Sequence, residues 1–294
     1  MTRPTIGFIG LGAMGAPIVH RLLVADYAVC VWNRTPATLA PVLAAGARAA
    51  PTPAELGAAS DVVLLCVTDT AAVEQVVFGP DGVAEGAVEG KLLVDHSTIH
   101  PLDCRRFAER LRADSGMNWV DAPVSGGVAG ARAGRLVVMA GGTAADVERL
   151  ESFAGAYSQR VTRMGDCGAG QATKTCNQMI IGGTVAVVAE ALNFAARFGV
   201  NAADLPDCLA GGWADSAVLQ DHARRMAAAD FASDNAAEIM LKDMNIACDM
   251  GRETGAPMPV TAVTAELYRL LISLGHADKG QIGLIRLYTD RELG

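Results

Sequence analysis

Up to Gly165 the chain alternates short apolar runs with amphipathic stretches, the pattern of repeated strand–helix–strand units around a parallel sheet. The strands are predicted at Thr5–Gly10, Ala28–Trp32, Val62–Val67, Leu92–Asp95, Trp119–Ala122 and Leu136–Ala140. Each is mostly apolar, as a strand covered on both faces must be. Beyond Gly165 the strand-like runs stop, and Gln171 to Phe198 reads as one long helix. Gly199, Gly211-Gly212, Gly255 to Pro259 and Gly275 then cut the remainder into about four or five helical pieces. The pattern therefore predicts an α/β protein: residues 1–164 form a parallel-sheet domain, and residues 165–294 form an all-helical domain joined to it by the long helix.

Composition narrows the function classes. A net charge of −8 and a pI near 5.1 repel polyanions, and no basic-aromatic cluster suggests a nucleic-acid groove. Cys30, Cys66, Cys104, Cys167, Cys176, Cys208 and Cys248 are scattered without a CxxC pair and read as reduced core thiols. No basic-apolar-small leader precedes Thr5-Ile6-Gly7-Phe8-Ile9, and Met179–Ala189, interrupted by Gly182, Gly183 and Thr184, reads as a buried helix too short to span a bilayer. The expectation is a cytoplasmic protein without a membrane or nucleic-acid partner.

Three motifs carry chemistry. Gly10-Leu11-Gly12-Ala13-Met14-Gly15 follows a strand and opens a helix. Its first glycine permits a tight turn, its second lets backbone approach a pyrophosphate, and its third lets helix and strand pack closely, while the helix-start amides face phosphate charge. A structural turn without ligand is the alternative. At the end of the second strand, where NAD-binding folds place a carboxylate for the ribose 2′-hydroxyl, stands Asn33-Arg34-Thr35. Arg34 suits a 2′-phosphate, with Asn33 and Thr35 as donors, so NADP is expected over NAD. The competing reading is a solvated arginine with Thr35 capping a helix.

In the second motif, Asp121 to Ala131, small residues around Ser125, Gly126 and Gly127 can present consecutive amides and a hydroxyl to one carboxylate at the carboxyl edge of the sheet. The third is Gly168-Ala169-Gly170-Gln171-Ala172-Thr173-Lys174, continuing to Asn177 and Gln178. Lys174, Asn177 and Gln178 share one helix face, and a lysine among small and apolar neighbours calls for a task.

Taken with a later Lys242-Asp243, these motifs resemble the β-hydroxyacid dehydrogenases, which include 3-hydroxyisobutyrate dehydrogenases and small semialdehyde reductases. The likeness runs in the family's order over nearly the whole chain. It implies a Rossmann-like N-terminal domain, an all-α C-terminal domain and an active site in the cleft between them. It further implies Lys174 as the catalytic residue, Ser125, Gly126 and Gly127 as the carboxylate loop, and Asn177 as a substrate-positioning residue. Val67, Thr98 and Lys242 join Gly10 to Gly15 and Asn33 to Thr35 in the cofactor set. The implied reaction is hydride transfer between NADP and a small anionic 3-hydroxy acid or its aldehyde or keto counterpart, in a homodimer or homotetramer. The segment Gly280-Gln281-Ile282-Gly283-Leu284 departs from the family's carboxylate- and hydroxyl-bearing pattern, which leaves the substrate open.

Other groups read more plainly. His96 and His100 lack a third ligand, so no metal is expected. Trp213 sits at a helix connection, as packing or as pocket lining. Two rival functions on the same scaffold are an imine reductase, against which Lys174 argues, and a 3-hydroxy amino acid dehydrogenase. A non-catalytic NADP-binding protein is a third, and a complete substrate loop argues against it. Apolar faces such as Thr184–Ala196 favour assembly with further copies.

Overall fold

Alternation at period two decides where the strands sit. Ile6 and Phe8 enter one apolar core and Ile9 another; Val62 and Leu64 oppose Val63 and Leu65 in the same way, and Leu92 and Val94 oppose Leu93. A sheet coated on both faces results. The computed structural model describes residues 3–232 and 236–289. The chain divides into two units, Met1–Lys174 and Thr175–Gly294.

In the first unit the strands are β1 (Ile6–Ile9), β2 (Val29–Trp32), β3 (Arg48–Ala49), β4 (Val62–Leu65), β5 (Leu92–Asp95), β6 (Asn118–Asp121), β7 (Val124–Ser125), β8 (Leu136–Gly141) and β9 (Ser158–Gly165). Their order is β3-β2-β1-β4-β5-β6-β8-β7, with β9 beside β8. Pairings from β3 through β6 are parallel, whereas β8 runs antiparallel to β6 and β7. The six expected strands form within a residue or two of their expected ends. Three more were not foreseen: β3 and β7 have two residues each, and β9 is mostly exposed, with arginines where an apolar run would be sought.

Register matters more than strand count. Ile9 pairs with Trp32 and Leu65, Leu65 with Asp95, and Asp95 with Asp121, so the carboxyl ends of β2, β1, β4, β5 and β6 finish in one row. Open parallel sheets bind ligands along such an edge. Gly10, Asn33, Cys66, His96 and Ala122 are the residues that next leave it.

The helix Ala169–Phe198 begins two residues earlier than expected, and the division between units falls inside it. In the second unit Val185, Val188 and Leu192 pack with Met240, Met244, Tyr268 and Leu271 from the helices Ala237–Thr254 and Pro259–Ser273. Gly255 closes the first of these in the left-handed conformation, φ +71°. Among the described residues, Ala169–Phe198 alone is long and apolar enough to cross a membrane by length and composition. It is not buried all round: Ile180, Val187, Phe194 and Phe198 are exposed along one side, which corrects the expected fully buried helix. Trp213 is wholly exposed, which corrects the packing reading. Gly280 to Leu284 forms a tight turn with Ile282 and Leu284 buried, held by a 2.7 Å bond between Gln281 Nε2 and His222 Nε2.

Candidate active site

Gly10 and Gly15 are held by packing, and Gly12 is not. A Cβ on Gly10, whose φ is +99°, would lie 2.2 Å from the Cys66 carbonyl oxygen, and one on Gly15 would lie 1.9 Å from that of Gly10. Both positions are closed to side chains by the approach of β1, β4 and the helix Gly15–Val24. A Cβ on Gly12 would meet nothing within 4 Å, and Gly12 and Ala13 border an open volume of about 420 Å³. At Gly12 the backbone is therefore at the surface with no side chain in the way.

The second-strand triplet works differently from expectation. Asn33 Oδ1 accepts from the Leu11 amide at 3.0 Å, and its Nδ2 donates to Thr35 O at 3.1 Å and Thr38 Oγ1 at 2.7 Å. Both amide hydrogens are used within the chain, so Asn33 splints the glycine turn. Thr35 makes no side-chain cap, and Pro36 opens the turn that follows. Arg34 is exposed and has no ion-pair partner among the described residues.

Along the next strand ends, the Val67 amide donates to Ser97 Oγ at 2.9 Å and the Ser97 amide to Asp95 Oδ1 at 2.9 Å. Gln171, fully buried, holds this turn from the far side: its Oε1 accepts from Ile99 N at 3.1 Å and its Nε2 donates to Ser97 O at 2.8 Å. The residue between them is Thr98, half-buried on the turn. His96 beside it is structural. Its Nδ1 lies 2.6 Å from the Ala122 carbonyl, which only accepts, so Nδ1 carries the proton and Nε2 accepts from Tyr157 Oη at 3.0 Å. Burial lowers its pKa to about 4, against a smaller upward pull from that carbonyl.

Asp121, at the end of β6, accepts from the Gly168 amide at 2.7 Å and the Gln171 amide at 2.8 Å, fastening the start of the lysine helix to the sheet. Burial raises its carboxyl pKa, and the two amides pull it back. Gly141 and Gly170 make room, since a Cβ on either would fall within 3 Å of the Asp121 carboxylate. Three residues past Gln171, Lys174 is buried with its Nζ 2.9 Å from Val124 O. The lysine is thereby moored one residue before Ser125, where β7 ends and Gly126 and Gly127 take φ +124° and +62°. A Cβ on Gly127 would again meet open space.

Asp121 and Gln171 are the positions that sequence reasoning passed over. Their signal was present, an Asp opening one motif and a Gln closing another, but each partner lies tens of residues away.

Within the second unit, Asn177 Nδ2 donates to Gln178 Oε1 at 2.8 Å, and Gln178 Nε2 donates to the buried Asp243 at 2.6 Å. Asp243 also pairs with Lys242 Nζ at 3.2 Å. The core-thiol expectation holds for Cys30 and Cys104 alone; Cys176 and Cys208 are exposed and the other three half-buried.

Residues 5–165 match the family model described as the NAD binding domain of 6-phosphogluconate dehydrogenase, and residues 168–288 match that described as the NAD-binding of NADP-dependent 3-hydroxyisobutyrate dehydrogenase. The chain is 34% identical over 285 residues to 2-hydroxy-3-oxopropionate reductase of Escherichia coli K12, covering 96% of each chain. It is 32% identical to 2-(hydroxymethyl)glutarate dehydrogenase of Eubacterium barkeri, covering 94% of this chain and 93% of that one. A solved structure of Mycobacterium tuberculosis 3-hydroxyisobutyrate dehydrogenase with L-serine superposes with a TM-score of 0.89 at 29% identity, covering 98% and 100% of the two chains.

Proposed function

The chain belongs to the β-hydroxyacid dehydrogenase family and is an NAD(P)-dependent hydroxyacid dehydrogenase; from that premise we propose that it uses NADP, acts on a small anionic 3-hydroxy acid or the matching semialdehyde or keto acid, and passes the proton through Lys174. The observation that carries this reading is the mooring of buried Lys174 on Val124 O, adjacent to the Ser125-Gly126-Gly127 turn with its two positive-φ glycines.

A bound nicotinamide dinucleotide supplies the hydride acceptor, or the donor in the reverse direction. Everything else falls to the chain's own residues. The open backbone at Gly12 and the amides of Ala13, Met14 and Gly15 suit the pyrophosphate, with Gly10, Leu11 and Asn33 holding that turn in shape. Arg34 and Thr35 suit a 2′-phosphate, because no carboxylate stands there to repel it. Val67 and Thr98 flank the ribose side, and Lys242 joins the cofactor set by resemblance. The Ser125–Gly127 turn grips the substrate carboxylate with backbone donors, which a protein of net charge −8 needs for an anion. Asn177, locked by the Gln178–Asp243 relay, holds the substrate oxygen. Lys174 takes the proton that the hydroxyl loses on oxidation and returns it to the nascent alkoxide on reduction. The same reading makes the enzyme cytoplasmic, in keeping with its free cysteines, and a homodimer or homotetramer.

The test is Lys174→Ala assayed by NADPH absorbance on a panel of small 3-hydroxy acids, semialdehydes and 3-hydroxy amino acids, the last included because of the L-serine structure. Loss of proton transfer and oxyanion stabilisation together lowers kcat at least about a hundredfold, with cofactor affinity retained. Near-normal kcat in the variant on its best substrate overturns the lysine's role.

A further inference from the structure

The first unit holds a second cluster of chemistry-bearing groups that hydride transfer does not use. Cys104 lies in the first turns of the helix Pro101–Ser115, Asp121 ends β6, and Cys167 sits in the turn before the lysine helix. Their Sγ atoms and carboxylate oxygen all lie within 4.8 Å of one another, and the two sulfurs are 3.7 Å apart. Cys104 and Asp121 are fully buried, while Cys167 is half-buried and gives the cluster its side of access.

We propose that Cys104, Cys167 and Asp121 bind one thiophilic divalent cation of the zinc class. Two thiolates on a tetrahedral zinc ion, each at about 2.3 Å, must stand about 3.8 Å apart, and the sulfurs already stand at that separation. The carboxylate's partners reinforce the case. Asp121 has no ion-pair partner among the described residues; besides the Gly168 and Gln171 amides it accepts from the Cys167 thiol, so the proton that leaves on metal binding is one that already bridges two of the ligands. The exchange is charge-neutral: two thiol protons leave to solvent and one dication enters, with no oxidant or reductant involved. Nearby Arg105 Nε donates to the Cys167 carbonyl at 3.1 Å, so the turn is already held in place to present its sulfur. Loaded, the site would fasten a helix, a strand end and the turn that opens the lysine helix to a single ion.

The scattered spacing of positions 104, 121 and 167 hides this cluster from any motif search, because CxxC-type reading sees only ligands adjacent in sequence. The proposal is independent of the hydride-transfer reading, and metal uptake is measured without substrate or nicotinamide.

The experiment titrates full-length protein, reduced with a non-thiol phosphine and freed of metal, with Cd²⁺, following the ultraviolet thiolate-to-cadmium charge-transfer band. Zn²⁺ competition is read with a chromophoric chelator. One cadmium per chain is expected, displaced by zinc, with a zinc-dependent rise in Tm. Removing a supporting group around a metal commonly costs 10- to 100-fold in affinity, so removing a ligand by Cys167→Ser or Cys104→Ala should cost more than about a hundredfold. Cys176→Ser/Cys208→Ser, which removes the exposed thiols, should leave the band intact. Cys167 is half-buried, so its serine variant tests the site even if the Cys104 variant fails to fold. The proposal is overturned if folded, reduced protein binds no cadmium, if the band follows Cys176 and Cys208, or if Cys167→Ser keeps wild-type affinity. Peroxide joining Cys104 to Cys167 in a protein that takes up no cadmium would identify a redox pair instead.

Discussion

Adding one methyl group separates the ligand-binding glycine of the first motif from its packing glycines. In Gly15→Ala the new Cβ would lie 1.9 Å from Gly10 O and 2.9 Å from Phe8 Cε1, both on the segment packed beneath the helix. Backbone cannot step aside as a flexible side chain would, so the overpacking penalty belongs at the upper end of its range, about 3 kcal/mol. For a unit of this size that amounts to a fall in Tm of about 6–12 °C. In Gly12→Ala the Cβ meets nothing within 4 Å and the residue is exposed, so stability should change by less than about 0.5 kcal/mol, or about 2 °C. That same methyl occupies the surface a pyrophosphate must touch, and NADPH affinity should fall at least about tenfold, ~1.4 kcal/mol. Differential scanning fluorimetry and a fluorescence titration with NADPH, run on both variants, give the two readouts. Wild-type NADPH affinity in folded Gly12→Ala refutes the cradle, and an unchanged Tm in Gly15→Ala refutes the packing argument.

Arg34→Ala should lower the NADPH-to-NADH ratio of kcat/KM at least about tenfold, since a charge-assisted phosphate contact is lost; an unchanged ratio would refute the assignment. His96 should make stability pH-dependent. Its pKa falls from 6.5 unfolded to about 4 folded, so its neutral buried form is fully accommodated above pH 6.5, and stability drains as pH drops toward 4. The loss is about 3 kcal/mol, measurable as a flatter stability-versus-pH curve in His96→Gln by urea unfolding, and equal slopes in the two proteins would contradict it. Ile180, Val187, Phe194 and Phe198 form an exposed stripe at helical spacing, which should be covered by a second copy. Light scattering should show a dimer or tetramer that Val187→Glu/Phe194→Glu weakens, and a wild-type monomer at micromolar concentration would refute it.

Much of this could be read along the chain because the controlling interactions are local. Short, mostly apolar runs placed six strands, the long helix followed from its helical pattern, and the glycine turn and Lys174 stood in contiguous motifs whose spacing fixes their geometry. Tertiary structure decided whatever depended on partners far away in sequence. That Asn33 braces Leu11, 22 residues earlier, is visible only in the fold. Gln171 grips Ser97 across 74 residues, and Asp121 reaches Gly168 across 47, so neither clamp leaves a periodic trace. The exposed, arginine-bearing β9 is a strand only because β8 offers it a ladder. The clustering of Cys104, Asp121 and Cys167 likewise exists only after the sheet has brought three distant segments to one edge. Periodicity reports which side of an element is buried; it does not report which buried polar groups will meet, because that depends on strand order and register.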